Sequence, residues 1–527
     1  MQNVPADQVL DIKQEEAKLP APAASAPSYI FSDISSTAGL SFTHKENDFV
    51  DFKDEPLLPY QLSRQGPALA KADVNGDGLE DVFIGGAIGQ GGMLFLQAGN
   101  NTFIPAGQQP WITDTVSEQV NAVFFDADGD GDKDLYVVSG GNEYADQSPG
   151  YADHLYINDG KGNFTKAEEA LPAMLSSKQA IAVGDFDNDG DLDIFVGGRG
   201  VAGSFPLASK SYLLRNDSKN GKIIFTDVTE ASAPQLRQPG MVTAAVWADL
   251  NNDHYPELLI AGDWMPVMLF QNNKGKLEDV SQQAGLAGTN GMWSAITAAD
   301  VDGDGDIDFI LGNCGLNNQF KASAKEPVTM YAADLDDNGT IDPIICYYIQ
   351  GKSYPMASRD ELLDQVVPLR KRFVKYADYA DATVADIFTK EKLAQAQVLH
   401  CEELASGILY NQGNHTFIFK PLPLAAQFSK VSGIVADDFD KDGIPDIFVA
   451  GNFFPYRIQL GKCDASFGVL LKGKGKGAYE AEDAAQTGCY ADGDIRGVAE
   501  VKNKAGERLL VIAKNDAAVQ VLKVVDK

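Results

Sequence analysis

The chain has 527 residues, 44% of them hydrophobic and 9% aromatic, which is ample for a large buried core. Its formal net charge is -32 at pH 7, and without a basic stripe that balance excludes nucleic acid as a partner. No apolar run approaches the roughly 20 residues of a membrane span, so none is expected in this segment.

In chain order, residues 1–28 stand apart. Leu19–Pro27 (LPAPAASAP) is a Pro- and Ala-rich linker. No secretory signal opens the sequence, which fits an excised fragment and leaves export undecided at this point. Tyr29–Ser35 (YIFSDIS) has strand character but no neighbouring strand to pair with.

From residue 73 onward a nine-residue pattern, Asp-x-Asp/Asn-x-Asp/Asn-x-x-x-Asp/Glu, occurs seven times. Its first, third, fifth and ninth positions are Asp73, Asn75, Asp77 and Asp81, then Asp126, Asp128, Asp130 and Asp134. Asp185, Asp187, Asp189 and Asp193 follow, then Asp249, Asn251, Asp253 and Glu257. The last three sets are Asp300, Asp302, Asp304 and Asp308; Asp334, Asp336, Asn338 and Asp342; and Asp438, Asp440, Asp442 and Asp446. Short oxygen-bearing side chains at alternate positions converge on a point. The backbone carbonyl of the seventh residue (Leu79, Asp132, Asp191, Tyr255, Asp306, Thr340 or Ile444) completes an oxygen cage suited to Ca²⁺. Six of the loops carry glycine at position six, and the fourth has His254, Tyr255 and Pro256 where a free turn is wanted. About six or seven bound Ca²⁺ ions are expected. Crowded carboxylates repel one another without a cation, so metal and fold should be coupled. An EF-hand is excluded: its last ligand falls at position 12 between helices, whereas these loops end at position 9 between short Val-, Ile- and Phe-rich strands.

First aspartates at 73, 126, 185, 249 and 300 are spaced by 53, 59, 64 and 51 residues. Four short strands per repeat at that period indicate propeller blades. The expected fold is all-β, a seven-bladed β-propeller of four-stranded blades over residues 29–527. Residues Asp494–Val524 supply three strands of the last blade, and Tyr29–Ser35 supplies its missing outer strand, leaving no open sheet edge. The Asp334 loop is out of phase and belongs to a partly helical insertion, residues 314–405, in the fifth blade; eight blades result if it belongs to a full blade instead. Ser358 and Glu361 suit a capping box opening a helix. The insertion reads as a cap over one end of the ring, with a partner-docking element as the alternative. Tyr354 and Arg359 are of residue types enriched at binding hot spots.

The repeated hydrophobic–Asp-x-Asp-x-Asp-Gly units and the entry segment Phe31–Phe52 resemble the FG-GAP/VCBS repeats of integrin-α propellers. More closely they resemble proteins of the cartilage-acidic-protein type, in which such propellers accompany an ASPIC/UnbV domain; Asn3–Ala17 resembles the end of that domain. The resemblance extends to surface lipoproteins of Bacteroidetes-type bacteria and implies an exported protein, extracellular or on the outer-membrane cell surface.

The five cysteines (Cys314, Cys346, Cys401, Cys463 and Cys489) match no zinc spacing and leave free thiols or one or two disulfides open. None of the five histidines lies in a known nucleophile or metal motif. The expected function is non-enzymatic: a calcium-binding module holding a surface protein or a glycan. The alternative is a propeller polysaccharide lyase or glycoside hydrolase, which a cluster of His, Tyr and Arg or Lys facing one pocket would favour.

Overall fold

Short β-branched and aromatic runs pair antiparallel into eight separate sheets in the computed structural model, which describes residues 29–525, and in seven of the sheets an acidic turn joins two neighbouring strands. The domain tail and linker expected over residues 1–28 lie outside the described residues. Five sheets are simple meanders within residues 69–105, 118–166, 177–227, 241–279 and 431–481. Another begins with Ala295–Ala299 and Asp308–Gly312 and is completed only by Gly407–Asn411 and Phe417–Pro421. In the seventh, Ile495–Lys502, Arg508–Lys514 and Gln520–Val524 are joined by Phe31–Asp33, with Phe31 opposite Val524 and Asp33 opposite Leu522.

The first strand of each of these seven sheets packs on the next: Leu69–Ala72 on Glu118–Phe125, then on through Ser177–Gly184, Met241–Ala248, Ala295–Ala299 and Val431–Asp437. Ile495–Lys502 returns against Leu69–Ala72 and closes the ring. Every gap between neighbouring sheets is filled by its own apolar cluster. Phe83, Leu94, Trp111, Leu135 and Tyr156 fill the first, and Phe31 joins Phe448, Leu510 and Leu522 in the last. The tryptophans serve this packing: Trp111 and Trp293 are fully buried.

The eighth sheet is the insertion's own. A single extra hairpin was expected there, but Val328–Ala333, Asp342–Ile349, Lys352–Pro355 and Gln397–Cys401 form four paired strands. The last of them lies against blade four's Glu257–Met265, outside the ring of first strands. Four short helices lie between the third and fourth of these strands (Arg359–Gln365, Tyr376–Tyr379, Val384–Ile387 and Lys390–Gln395), the first opened by the Ser358–Glu361 capping box. Arg359 is not a free docking residue. Its Nε and Nη2 donate to the carbonyls of Phe373 and Val374, and its guanidinium lies 4.8 Å from the Tyr376 ring centroid, so it ties the helices together.

Second strands run away from the acidic loops, so their far ends mark the opposite end of the ring. That end is covered. Residues 43–63 cross it through contacts with Ala518, Gln90, Asn142, Phe205, Asp263 and Pro455. Leu58, Tyr60 and Leu62 form one apolar cluster with Phe205, Trp264, Phe453 and the insertion's Val328, Met330 and Ile345. The insertion is thus built into the cap. All five cysteines are free thiols.

Candidate metal centres and the central channel

Each acidic loop is shaped by its own carboxylates. In the first, Asp73 accepts from the N–H groups of Asp77 (3.1 Å) and Gly78 (2.8 Å), and Asp77 accepts from Leu79 (2.8 Å). The ninth residue anchors the turn to the sheet: Asp81 Oδ2 accepts from Val74 N–H, and Oδ1 from Gln97 N–H on the third strand. Asp134, Asp193, Asp308 and Asp446 make the same pair of bonds. In the insertion, Asp342 uses Leu335 N–H and the Gln365 side chain instead.

Against expectation, the fourth loop keeps this geometry without glycine. Asp249 accepts from Asp253 and His254 N–H, and Asp253 from Tyr255 N–H. His254 adopts φ +68°, a left-handed conformation that glycine occupies freely and a side chain does not. Glu257 is buried, with His415 Nε2 at 3.4 Å from its Oε1.

In at least four loops, three carboxylates each place an oxygen within 4.8 Å of the other two: Asp126, Asp128 and Asp134; Asp185, Asp187 and Asp193; Asp300, Asp302 and Asp304; Asp334, Asp336 and Asp342. Such groups could hold metal ions. Asp132 Oδ1, Asp187 Oδ1 and Asp336 Oδ1 are buried with no hydrogen-bond donor, which a cation would satisfy and a closed turn does not. Burial is the main cause raising the ninth-position acids, with the neighbouring aspartates adding to it: Asp81 and Asp134 to about 7, Asp193 to about 8, Asp308 to about 6. The residues present therefore fit a hard divalent cation.

The sixth-blade loop differs. The ammonium of Lys472, on the third strand, pairs with Asp440 and lies 3.1 Å from Asp442 Oδ2, so an internal cation already reaches two of this loop's carboxylates. Nothing in the loop DFDKDGIPD announces this. The signal is a cation immediately before the residue that caps the loop's ninth acid: blade three carries Arg215 there, which pairs with Asp217, whereas the remaining equivalents are Leu96, Ile157, Gln271 and Tyr410. A second missed feature is the asparagine ending several third strands. Asn158 Nδ2 donates to Val74 O, Asn216 Nδ2 to Ala127 O, and Asn272 Nδ2 to Phe186 O. Each of these carbonyls is in the loop of the preceding blade, so neighbouring loops are stitched together.

His44, Glu46 and Glu118 also converge near the covered end. His44 Nδ1 accepts from Asp516 N–H at 3.1 Å, which leaves the ring proton on Nε2 and no lone pair there for a metal. Burial holds His44 near 3 and raises Glu46 to about 7.

The channel itself is a cavity of about 270 Å³ lined by first-strand residues of all seven blades, among them Leu69, Asn121, Gln179, Thr243, Ser294, Ser432 and Arg496. At its covered end a smaller space of about 30 Å³ is bounded by Tyr60, Arg64, Arg199, Asp263, Lys430 and Arg496.

The FG-GAP-like repeat family model matches residues 73–137, 138–196 and 249–311, so the chain carries FG-GAP-like repeats. Mouse cartilage acidic protein 1 is 26% identical over 170 residues, covering 30% of this chain and 24% of that protein. The human protein is 25% identical over 191 residues, covering 32% and 27%. The chain thus spans about a quarter of the length of the curated relatives it matches. Among solved structures, the V. cholerae biofilm matrix protein Bap1 aligns over 92% of this chain and 91% of its own, at 12% identity and a TM-score of 0.37. Saccharomyces cerevisiae Sqt1 aligns over 89% and 99%, at 9% identity and a TM-score of 0.44.

Proposed function

We propose that this FG-GAP-repeat propeller is a calcium-loaded, non-enzymatic binding module of an exported protein, displayed at the cell surface and holding a protein or glycan ligand. The observation that carries the calcium reading is the set of buried, donorless oxygens on Asp132, Asp187 and Asp336 inside preorganised loops. Calcium supplies charge neutralisation there. The chain's own residues shape the turns, anchor them to the third strands and link them from blade to blade. Outside cells Ca²⁺ is millimolar, which suits sites of modest affinity. Among the described residues no helix is long and apolar enough to cross a membrane.

The enzymatic alternative draws on Tyr60, Arg64, Arg199, Lys430 and Arg496 facing one space. Against it, the Tyr60 hydroxyl donates to Asp263, and Asp263 is also paired with Arg199, so neither is placed to take a proton from a substrate. Burial beside Asp263 raises Tyr60 far above the usual phenol range. The test is a glycan array and a surface-protein pull-down, each in millimolar Ca²⁺ and in EGTA. Calcium-dependent capture with the ligand recovered intact is expected. Release of a cleaved or unsaturated sugar product would replace the binder with the lyase or hydrolase.

A further inference from the structure

In an acidic propeller of net charge -32, a group of cations lines the covered end of the channel. The two connected groups of lining residues include four cations, Arg64, Arg199, Lys430 and Arg496, against one carboxylate, Asp263. That carboxylate is already shared between Arg199 and Tyr60.

The remaining donors have no partners. Arg199 is 4% exposed, yet its Nε and Nη1 meet no acceptor. Arg496 gives Nη2 to Asp494 at 2.9 Å, and its Nε is buried and unpaired. Arg64 makes no hydrogen bond or ion pair among the described residues, although Glu46 lies within reach of its field. The ammonium of Lys430 is likewise unpaired among the described residues and sits 4.4 Å over the Phe453 ring. Desolvation of this kind is costly unless an opposite charge arrives. Burial accordingly pulls Lys430 below the usual lysine range.

We propose that the covered end of the channel is a binding site for the oxyanion of a small acid, with Lys430, Arg64 and the free edges of Arg199 and Arg496 around the anion. Hydroxyls of Thr243 and Ser294 and amides of Gln65 and Gln179 line the same wall and can hold the body of the ligand. The channel of about 270 Å³ admits a solute the size of one sugar acid and no folded partner, and the space of about 30 Å³ at its covered end, where Arg64 and Arg199 join Lys430 and Arg496, takes only the charged group. Of the two aromatic rings at this end, Phe453 is covered by Lys430 and Arg496 and Tyr60 packs edge-on against Phe205, Phe453 and Tyr456, so recognition is through charge rather than stacking. The site uses none of the hairpin carboxylates and stands independently of the calcium reading.

Isothermal titration of the full chain in calcium-containing, low-salt buffer with sodium sulfate, D-glucuronate and neutral glucose tests it. Both anions should bind one per chain and weaken as salt is added, while glucose should not bind. Tighter binding of glucuronate assigns the site to an organic acid, and tighter binding of sulfate to an inorganic ion. Lys430→Met and Arg64→Gln should each weaken binding roughly tenfold or more, the loss of one charge-assisted contact. Lys462→Met, an exposed lysine, should leave it unchanged. Should Lys430→Met unfold, Arg64→Gln decides. The proposal is overturned if neither anion binds, or if binding survives in the folded variants.

Discussion

Replacing Phe31 with alanine removes the side chain on which ring closure turns. Phe31 belongs to the strand that completes blade seven, yet its ring packs edge-on against Phe439 and Phe448 of blade six, with centroids 5.5 and 5.6 Å away. It is 1% exposed, among Leu510, Ile512, Leu522 and Val524. The substitution therefore opens a cavity where two blades and the chain's beginning meet. Large-to-small changes at such aromatic positions cost about 3–5 kcal/mol, a large share of the ~5–15 kcal/mol that holds a typical domain folded. Urea unfolding of the calcium-saturated full chain, followed by tryptophan fluorescence, should show a lower midpoint at an unchanged slope. Ser32→Ala, on the exposed side of the same strand, should change little. A Phe31→Ala loss below about 1 kcal/mol would refute closure through this strand.

Asn216→Ala should cost about 1–3 kcal/mol by stranding the carbonyl of Ala127, and should weaken metal binding in the second loop as well as the third, read by calcium titration. Lys472→Met should cost little in EGTA, because the pair is partly exposed. It should add one calcium per chain by titration calorimetry, and unchanged stoichiometry would contradict the lysine's role as an internal cation. Glu46 is raised from its usual value to about 7, chiefly by burial, so the folded state holds its proton more tightly than the unfolded one. Its stabilising contribution is complete below about pH 4.5 and lost as pH rises through 7. Glu46→Gln should therefore raise the melting temperature at pH 8 and leave it nearly unchanged at pH 4.5; a gain at both pH values would show that charge is not the cause.

The acidic loops were legible because their chemistry is local: five candidate oxygen donors lie within nine residues, between short runs rich in Val, Ile and Phe. Phe31–Asp33 was legible for the same reason, since its pattern matches the fourth strands of other blades and one blade lacked that strand. The insertion was located correctly, but its strand pairing was not. Val328–Ala333 pairs with Gln397–Cys401 across some seventy residues, and no local signal encodes such a partner. The channel cations come from four remote segments, at Arg64, Arg199, Lys430 and Arg496, and each alone reads as an ordinary surface charge. Lys472 was missed because it reaches the loop's carboxylates from outside the motif. Arg359 was misjudged because residue type says nothing of which carbonyls a guanidinium has already met.

The calcium reading is tested most directly by scanning calorimetry of the full chain in millimolar Ca²⁺ and in excess EGTA. An ion that binds only the folded chain adds about 2.7 kcal/mol per site at a hundredfold excess over its dissociation constant. With several loops able to bind, the melting midpoint should fall by many degrees in EGTA and recover when calcium is restored. Identical midpoints in the two buffers would contradict the assignment of the hairpin tips as structural calcium sites.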